Sequence, residues 1–237
     1  MLMYIPRTCF HDNFQVRQYL GGNTLDETMS KRHIISVEGN IGSGKTTFLN
    51  MFAKEVENVE VLMEPVTMWQ DVNGHNLLSL MYEDPGRHTF AFQMYAILTT
   101  IKQKINSGTK DKIVERLGGG KCFIELSYQM GTLNDIEYSI LTHWIEHLKN
   151  SCGFDLSPDI IIYLKTEPET AYERIVKRNR PEEKGITLDY ITKLHILHEE
   201  WLMAPNPATR VIVVDANKDM VDNPYLAAMM EILQMVK

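Results

Sequence analysis

Gly39-Asn40-Ile41-Gly42-Ser43-Gly44-Lys45-Thr46 joins an apolar, β-type run at His33 to Val37 to a helical pattern at Thr47 to Val56. A glycine-rich turn of this kind between a strand and a helix predicts a P-loop, because its backbone N–H groups and the positive end of the helix dipole attract phosphate oxygens. The alternative is a glycine-rich turn that matches the motif by chance. Lys45 is expected to reach the outer phosphates and Thr46 a magnesium ion, with Thr47 completing the phosphate-binding segment. The sequence therefore predicts a nucleoside triphosphate site.

Further apolar segments with the length of buried strands follow the P-loop. They are Val59 to Met63, Cys122 to Leu126, Ile160 to Leu164 and Val211 to Val214. Helical patterns occupy Asn76 to Ser107, with a turn at Asp84-Pro85-Gly86, and then Leu133 to Leu148, Glu167 to Arg178, Leu188 to Leu202 and Asn223 to Met235. Strands that alternate with helices predict an α/β fold, a parallel sheet of about five strands with helices on both faces.

The length and composition of the chain fit one domain. Of its 237 residues, 44% are hydrophobic and 23% are charged, which is enough for a large core. We expect residues 34 to 237 to form this domain and residues 1 to 33 to be a disordered extension, since Gly21-Gly22-Asn23 breaks any local pattern. In the predicted helix at Leu133 to Leu148, one apolar stripe is expected, formed by Ile136, Ile140, Leu141, Trp144 and Leu148.

Charge and cysteine content exclude several classes of protein. The net charge of −7 disfavours binding to nucleic acid or to an acidic membrane. Three scattered cysteines, Cys9, Cys122 and Cys152, indicate a reducing compartment rather than a disulfide framework or a zinc site. No apolar run has the length of a membrane span. The cytoplasm is the predicted compartment, and the alternative is a mitochondrial presequence, favoured by Arg7 and Arg17 in the leader.

Four segments together resemble the deoxynucleoside kinases, the family of the deoxycytidine, deoxyguanosine and mitochondrial thymidine kinases. They are Val37 to Thr46, Glu64-Pro65-Val66 with Trp69, Phe92-Gln93-Met94-Tyr95 and Arg178 to Ile186, and they occur in the family's order. The resemblance spans about Ile34 to Met220 and implies transfer of the ATP γ-phosphoryl group to the 5′-hydroxyl of a deoxynucleoside, with Mg²⁺. It also implies the P-loop kinase fold with an arginine-rich lid.

Glu64 matches the family's catalytic base, which accepts the proton of the 5′-hydroxyl. It follows a buried strand, and the carboxyl ends of parallel strands form the ligand crevice of such sheets. A carboxylate suits proton abstraction beside a transferring phosphoryl group, whose chemistry depends mostly on positioning and charge neutralisation. The alternative on position alone is a turn or helix-capping carboxylate.

The resemblance also assigns a nucleoside pocket and a lid. Gln93 matches the residue that hydrogen-bonds the base edge, while Trp69, Tyr82, Phe123 and Glu183 match the aromatic wall and the contacts to the sugar 3′-hydroxyl. Arg174, Arg178 and Arg180 match the lid arginines, which would neutralise charge on the triphosphate, and Arg174 and Arg178 are one helical turn apart. Lys218, Asp219 and Met220 match the loop that contacts adenine. A solvated basic helix end and ordinary core aromatics are the structural alternatives.

The chain departs from the family after Glu115 and Arg116, which match the glutamate on the magnesium side and the arginine that contacts the 5′-oxygen. Leu117 replaces a serine, and the segment up to Phe123, expected to lead into a strand, is two residues shorter than in the family. Gly118-Gly119-Gly120 adds backbone freedom, so either the floor of the base pocket is expected to be open or Arg116 is expected to be loosely held. Thr100 replaces the arginine with which deoxycytidine kinases select their base, so a preference for thymidine or a broad pyrimidine range is expected.

Other functions stay open at this stage. A thymidylate kinase would share the P-loop but would need a basic site for the acceptor phosphate. A kinase-like binding or assembly protein of low activity would explain the altered segment between Glu115 and Phe123. Family members pair through helices, which makes Leu77 to Ser107 and Leu133 to Leu148 the candidates for a homodimer interface, although one subunit could bury both stripes itself.

Overall fold

A computed structural model of the chain describes residues 33–56, 59–105, 111–118, 120–151, 158–204 and 209–218. Several expectations lie outside the described residues: those for the extension before His33, for Asp219 and Met220, and for the helix at Asn223 to Met235. The family-like segments from the P-loop to Ile186 all fall within the described ranges, apart from Gly119 between Arg116 and Phe123.

Five parallel strands form one sheet, as predicted. Their bounds are β1 Ile34–Glu38, β2 Val59–Leu62, β3 Asp111–Glu115, β4 Ile160–Lys165 and β5 Arg210–Asp215, in the order β2-β3-β1-β4-β5. Strand β1 lies between β3 and β4, so the strand order reverses direction at β1. Such a reversal of strand order opens a crevice at the carboxyl ends of the strands, where these folds bind ligands.

Helices cover both faces of the sheet. They are α1 Lys45–Glu55, α2 Val66–Gln70, α3 Leu77–Glu83, α4 Pro85–Ile105, α5 Gly120–Gln129, α6 Asp135–Ser151, α7 Pro168–Arg178 and α8 Leu188–Leu202, with a 3₁₀ segment at Pro181–Gly185. On one face, Phe48, Leu49 and Phe52 of α1 pack against Ile35 and Val37 of β1. Helices α5, α7 and α8 share a second core near the opposite face. Among the described helices, none has the length and apolarity to cross a bilayer.

The prediction of a strand at Cys122 to Leu126 is wrong. This segment lies in helix α5, and the strand is Asp111–Glu115, nearer the N-terminus. Cys122 and Leu126 face the cluster with α7 and α8, whereas Ile124 faces a separate cluster near α4 and α6. A helix that is buried on two sides produces the alternation of apolar residues that is typical of a strand.

Two further predictions need correction. The expected stripe on α6 is divided: Leu141 and Leu148 are buried, whereas Ile136, Ile140 and Trp144 are exposed. The strand predicted at Val211 to Val214 exists, but it forms the edge of the sheet, and Val214 is its only buried residue. An edge strand packs on fewer neighbours than a central one, so a continuous apolar sequence does not guarantee burial.

Candidate active site

The P-loop holds its shape through left-handed glycines and a close approach to α7. Gly42 and Gly44 have φ angles of 78° and 91°. A Cβ atom added to Gly42 would lie 2.3 Å from the carbonyl oxygen of Ala171. The Asn40 side chain donates from Nδ2 to the carbonyl oxygen of Ile191, at 2.9 Å, and accepts from the Ile41 N–H. The loop is therefore braced against α7 and α8, and its backbone shape is fixed before any phosphate binds.

Lys45 lies at the beginning of α1 and is buried. Its Nζ donates to the carbonyl oxygens of Gly39, at 3.2 Å, and Asn40, at 2.9 Å. Burial, and secondarily the positive charge of Arg116, lower the pKa of Lys45 to about 8. A buried ammonium group with neutral carbonyl partners gains from an anion that replaces them, because the charge then has an opposite charge beside it.

Glu115 connects the P-loop helix to the residue that follows β2. The Thr46 hydroxyl donates to Oε1 of Glu115 at 3.0 Å, and the backbone N–H of Glu64 donates to Oε2 at 3.3 Å. Burial and the nearby charge of Glu64 raise the pKa of the Glu115 carboxyl. The hydroxyl and carboxylate oxygens of Thr46 and Glu115 are hard donors, the ligand type that Mg²⁺ takes.

Arg116 lies directly after β3 and is held on two sides. Its Nε lies 2.7 Å from Oε1 of Glu64, and its guanidinium carbon lies 4.4 Å from the centre of the Phe123 ring. Its backbone has a φ of 54°, in the left-handed region that non-glycine residues seldom adopt. The expectation of a loosely held Arg116 is therefore not supported, since an ion pair and a cation–π contact both fix the side chain.

A cavity of about 640 Å³ opens beside these residues. Its lining includes Ile41, Gly42, Gly44, Lys45, Thr46, Thr47, Glu64, Trp69, Tyr82, Gln93, Thr100, Glu115, Arg116, Phe123, Arg178, Arg180 and Glu183. Gly39, Asn40, Ser43 and Arg174 do not line it. The volume lies within the range of small-molecule sites. Most of the residues predicted for triphosphate and nucleoside are thus brought to one cavity.

The wall opposite the P-loop is aromatic and has few hydrogen-bonding groups. Trp69 packs edge-on against Phe92 and donates from its indole N–H to the Thr99 hydroxyl at 2.9 Å. Gln93 is buried at the cavity, and no described residue hydrogen-bonds its side-chain amide. Burial raises the pKa of Tyr82 well above its ordinary value, so its hydroxyl is a proton donor at neutral pH.

The arginines at the end of α7 separate into two groups. Arg178 Nη2 lies 2.6 Å from one oxygen of Glu183, and Arg180 Nη1 lies 2.8 Å from the other. Arg174 instead donates to the carbonyl oxygens of Ala216, Asn217 and Lys218, at 2.7, 3.2 and 3.4 Å. The Arg174 and Arg178 side chains therefore have different partners although their backbones are one turn apart. That both bind the triphosphate stays a prediction.

Comparison with known proteins identifies the group to which this site belongs. The family model described as deoxynucleoside kinase matches residues 35–234. The chain belongs to the deoxynucleoside kinase family. It is 39% identical over 201 residues to "Thymidine kinase 2, mitochondrial" of Homo sapiens, covering 82% of this chain and 75% of the relative. It is also 36% identical over 221 residues to human "Deoxycytidine kinase", covering 79% and 85%.

Membership of this family makes the kinase an ATP-dependent phosphotransferase acting on deoxynucleosides. The match covers the whole predicted domain except its first and last residues. In the segment between Glu115 and Phe123, which raised the binding-protein alternative, Arg116 to Gly118 follow β3 and α5 begins at Gly120. In this arrangement Arg116 and Phe123 still reach the cavity.

Two buried glutamates of the kinase were assigned no role from the sequence. Glu38 ends β1 directly before the P-loop, and Glu182 precedes Glu183 in the 3₁₀ segment. Glu182 accepts at Oε1 from Gln70 Nε2, at 2.9 Å, and from Asn76 Nδ2, at 2.8 Å. The bond from Asn76 lowers the pKa of the Glu182 carboxyl. A carboxylate at the carboxyl end of a buried strand was a usable signal for Glu38. For Glu182, the only signal in the sequence was its position next to Glu183.

Proposed function

We propose that the kinase transfers the γ-phosphoryl group of ATP to the 5′-hydroxyl of a deoxynucleoside, with Glu64 as the general base. One observation carries this proposal: a continuous set of contacts joins Thr46 to Glu115, Glu115 to Glu64 and Glu64 to Arg116 at the cavity. The acceptor hydroxyl would approach the Glu64 carboxylate, which takes its proton, while Lys45 and Arg116 neutralise charge on the phosphoryl oxygens.

Mg²⁺ is part of the proposal because the residues that face the phosphate side fit it. Thr46 and Glu115 are oxygen donors 3.0 Å apart, and the Glu115 carboxyl has a raised pKa that a bound cation would lower. When bound, the ion supplies positive charge against the triphosphate. Thr46 and Glu115 would hold it, and Glu115 would stay ionised beside Glu64.

The proposed substrate range is thymidine or the pyrimidine deoxynucleosides in general. Gln93 presents an amide that donates at one end and accepts at the other, so it suits either cytosine or thymine. Thr100 lines the cavity with an uncharged side chain, which leaves the base selection without an arginine there. Phe123 and Trp69 would flank the base, and Tyr82 with Glu183 would bind the sugar 3′-hydroxyl.

For the donor side, we propose that Arg178 and Arg180 close over the triphosphate and exchange Glu183 for phosphate oxygens. Arg174 is proposed to hold the loop of Ala216 to Lys218, whose neighbours Asp219 and Met220 are predicted to contact adenine, rather than to contact phosphate itself. Its bonds to the carbonyl oxygens of Ala216 and Asn217 support this assignment.

We propose further that two copies pair through α4 and α6. On α6, Ile136, Ile140 and Trp144 recur every fourth residue and are 72, 44 and 38% exposed, and Leu98 of the contacting helix α4 is 55% exposed. Covering such a stripe removes apolar surface from water. Ile140→Glu is expected to halve the mass measured by light scattering, with His143→Glu on the same helix as the control. A wild-type monomer at micromolar concentration would contradict pairing.

The cytoplasm remains the predicted compartment, on composition alone.

Phosphoryl transfer from labelled Mg-ATP to thymidine, deoxycytidine, deoxyadenosine, deoxyguanosine and thymidine monophosphate tests the function. Turnover of the pyrimidine nucleosides is expected, and Glu64→Gln should lower kcat by about 10² to 10⁴ while ATP still binds. Gln has the shape of Glu but accepts no proton, so the loss would report the base. Turnover of the monophosphate alone would instead identify a thymidylate kinase, and ATP binding without any turnover would favour a binding protein.

A further inference from the structure

Strand β1 presents two polar side chains to the side of the sheet opposite α1. Ile35 and Val37 pack in the core with α1, so Ser36 and Glu38 project to the other face, because side chains alternate along a strand. Both are fully buried. A buried carboxylate is costly unless it is hydrogen-bonded, so the partners of Glu38 are informative.

Those partners belong to the segment that follows β3. The Gly118 N–H donates to Oε1 of Glu38 at 2.8 Å, and the Leu117 N–H donates to the Ser36 hydroxyl at 3.1 Å. Ser36 in turn donates to the same Glu38 oxygen at 2.6 Å. The Arg116 N–H donates to the Val37 carbonyl oxygen at 3.0 Å. Three consecutive backbone N–H groups are therefore bound to three consecutive residues of β1.

Helix α8 closes the same segment from the other side. A Cβ atom added to Gly118 would lie 2.9 Å from both Cζ2 and Cη2 of Trp201, on a rigid ring. Lys121 Nζ lies 4.1 Å from the centre of that ring, which is a cation–π contact. Position 118 is thus confined between the Glu38 carboxylate and the Trp201 ring, and only glycine fits there.

This confinement acts directly beside a strained residue. Arg116 has a φ of 54°, in the left-handed region, where a non-glycine residue is strained because its Cβ atom crowds the backbone. Such a conformation persists only where the surroundings impose it. The hydrogen bonds from the Leu117 and Gly118 N–H groups fix the two residues that follow Arg116 and so hold its backbone in this conformation. The direction of the Arg116 side chain, toward Glu64 and Phe123, depends on this backbone conformation.

We propose that Glu38 is a positioning residue for phosphoryl transfer, which with Ser36 holds Leu117 and Gly118 so that Arg116 keeps the orientation it needs beside Glu64. This proposal rests on the proposed function. It accounts for the departure from the family in this segment, because the anchors are backbone N–H groups and do not need the missing serine side chain. The shape of the turn is fixed by β1 and by Trp201.

The test compares Glu38→Leu with Glu38→Gln. Glu38→Leu removes the acceptor of the Gly118 N–H and is expected to lower kcat by about tenfold to a hundredfold, because displacing a catalytic group by about 1 Å can cost that much. KM for ATP should stay within about twofold of the wild type. Glu38→Gln keeps a carbonyl oxygen for the Gly118 N–H and should stay within about threefold of wild type. A rise in KM for ATP at constant kcat would show that Glu38 acts through the P-loop and would overturn the proposal.

A double-mutant cycle separates positioning from a general structural defect. In an Arg116→Met background, Glu38→Leu should lower kcat by less than about twofold, because the residue it positions is gone. Additive losses would overturn the proposal. If Glu38→Leu does not fold, Ser36→Ala and Gly118→Ala perturb the same segment. The Gly118→Ala loss should be partly reversed by Trp201→Phe, which removes the obstructing atoms, and failure of that reversal would count against the proposal.

Amide hydrogen exchange gives a readout that does not depend on turnover. Loss of the anchor in Glu38→Leu should raise exchange at Leu117 and Gly118 by about tenfold or more, with exchange in α6 unchanged. Unchanged exchange at both amides would overturn the proposal even in an active enzyme. If the wild type turns over no nucleoside, while Glu38→Leu still raises exchange at Leu117 and Gly118 relative to the wild type, the result would contradict the proposed function and leave the anchoring role intact.

Discussion

Two sets of arginine–carboxylate pairs border one cavity of the kinase, and they are built differently. Arg116 and Glu64 follow adjacent strands of the sheet, and their side chains are 8 and 20% exposed. Arg178 and Arg180 lie at the end of α7 and just beyond it, are 38 and 31% exposed, and share the carboxylate of Glu183. The first pair is held by the sheet, whereas the second set joins two partly exposed arginines to one buried carboxylate outside the sheet.

The difference indicates which pairs a substrate can exchange. Arg178 and Arg180 are exposed enough to reach phosphate, but the Glu183 carboxylate they would leave is only 5% exposed. The exchange therefore has a small cost only if Glu183 gains another donor, such as the sugar 3′-hydroxyl proposed above. Breaking a buried pair leaves a desolvated charge and costs more. We infer that Arg116 and Glu64 form a fixed part of the catalytic site, while the lid arginines supply charge that moves.

Replacing an arginine in each set gives the largest expected contrast. Arg116→Met should lower kcat by about 10² to 10³, because a fixed cation beside the developing charge is lost. It should also lower the free energy of unfolding by about 3 kcal/mol, since Glu64 is left unpaired. Initial-rate kinetics and denaturant unfolding measure the two effects.

Arg178→Met is the matched control on the lid, with the same change of side chain. It should lower kcat by about tenfold and raise KM for ATP. The free energy of unfolding should change by less than about 1 kcal/mol, because Arg178 is partly exposed and Arg180 still pairs with the Glu183 carboxylate. Equal losses of stability in the two variants would break the contrast between a fixed pair and an exchangeable one.

Lys45 tests the comparison further, because it is a second buried cation on the fixed side, beside Arg116. Its folded-state pKa of about 8 lies below the value of about 10.5 for the unfolded chain. Between these values the unfolded state binds more protons, so the stability of the wild type should rise with pH from about 8 to 10.5. Below pH 8 both states hold the proton and the full cost of burial is present.

Lys45→Met removes this cost. Without nucleotide, the variant should be more stable than the wild type at pH 7, by about 2 to 3 kcal/mol if the lost bonds to the carbonyl oxygens of Gly39 and Asn40 matter little. The gap should close as pH rises above 8. Urea unfolding at a series of pH values measures it, and a gap that stays constant with pH would contradict a buried, shifted Lys45.

The fixed side of the site was also the more predictable from sequence. The P-loop and Glu64 depend on a local pattern, a strand followed by glycines or by a carboxylate, so their place at the carboxyl edge of the sheet follows from the fold class. The family resemblance supplied Gln93 and Glu183, which spacing alone could not. Cys122 to Leu126 misled because both of its sides are buried.

The contacts of the anchoring residues could not be predicted, because their partners are distant in sequence. Glu38 meets Gly118 across 80 residues, and Glu182 meets Gln70 across 112. A short-range pattern contains no information about such pairs. The side chain of Arg174 shows the same limit, since its partners at Ala216 and Asn217 become visible only once β5 is placed beside β4.

The smallest expected effect concerns how the lid is attached. Glu182 binds the 3₁₀ segment to Gln70 and Asn76, the residues that end α2 and precede α3, next to Trp69 of the nucleoside wall. Its neighbour Glu183 forms ion pairs with both lid arginines, Arg178 and Arg180. Glu182→Ala should therefore lower kcat by about threefold to tenfold, because the lid arginines lose one support. Glu182→Gln keeps an oxygen that accepts from both amides and should retain most of the activity.

Asn76→Ala tests whether the attachment or the charge matters. If Glu182 acts through its bond to Asn76, the loss in Glu182→Ala combined with Asn76→Ala should be smaller than the sum of the single losses, expressed as free energies of activation. The same cycle with Arg116→Met should be additive, because that residue is held by the sheet and not by the lid. Coupling between Glu182 and Arg116 would mean that lid and sheet position a single unit, and the distinction between a fixed and an exchangeable set would fail.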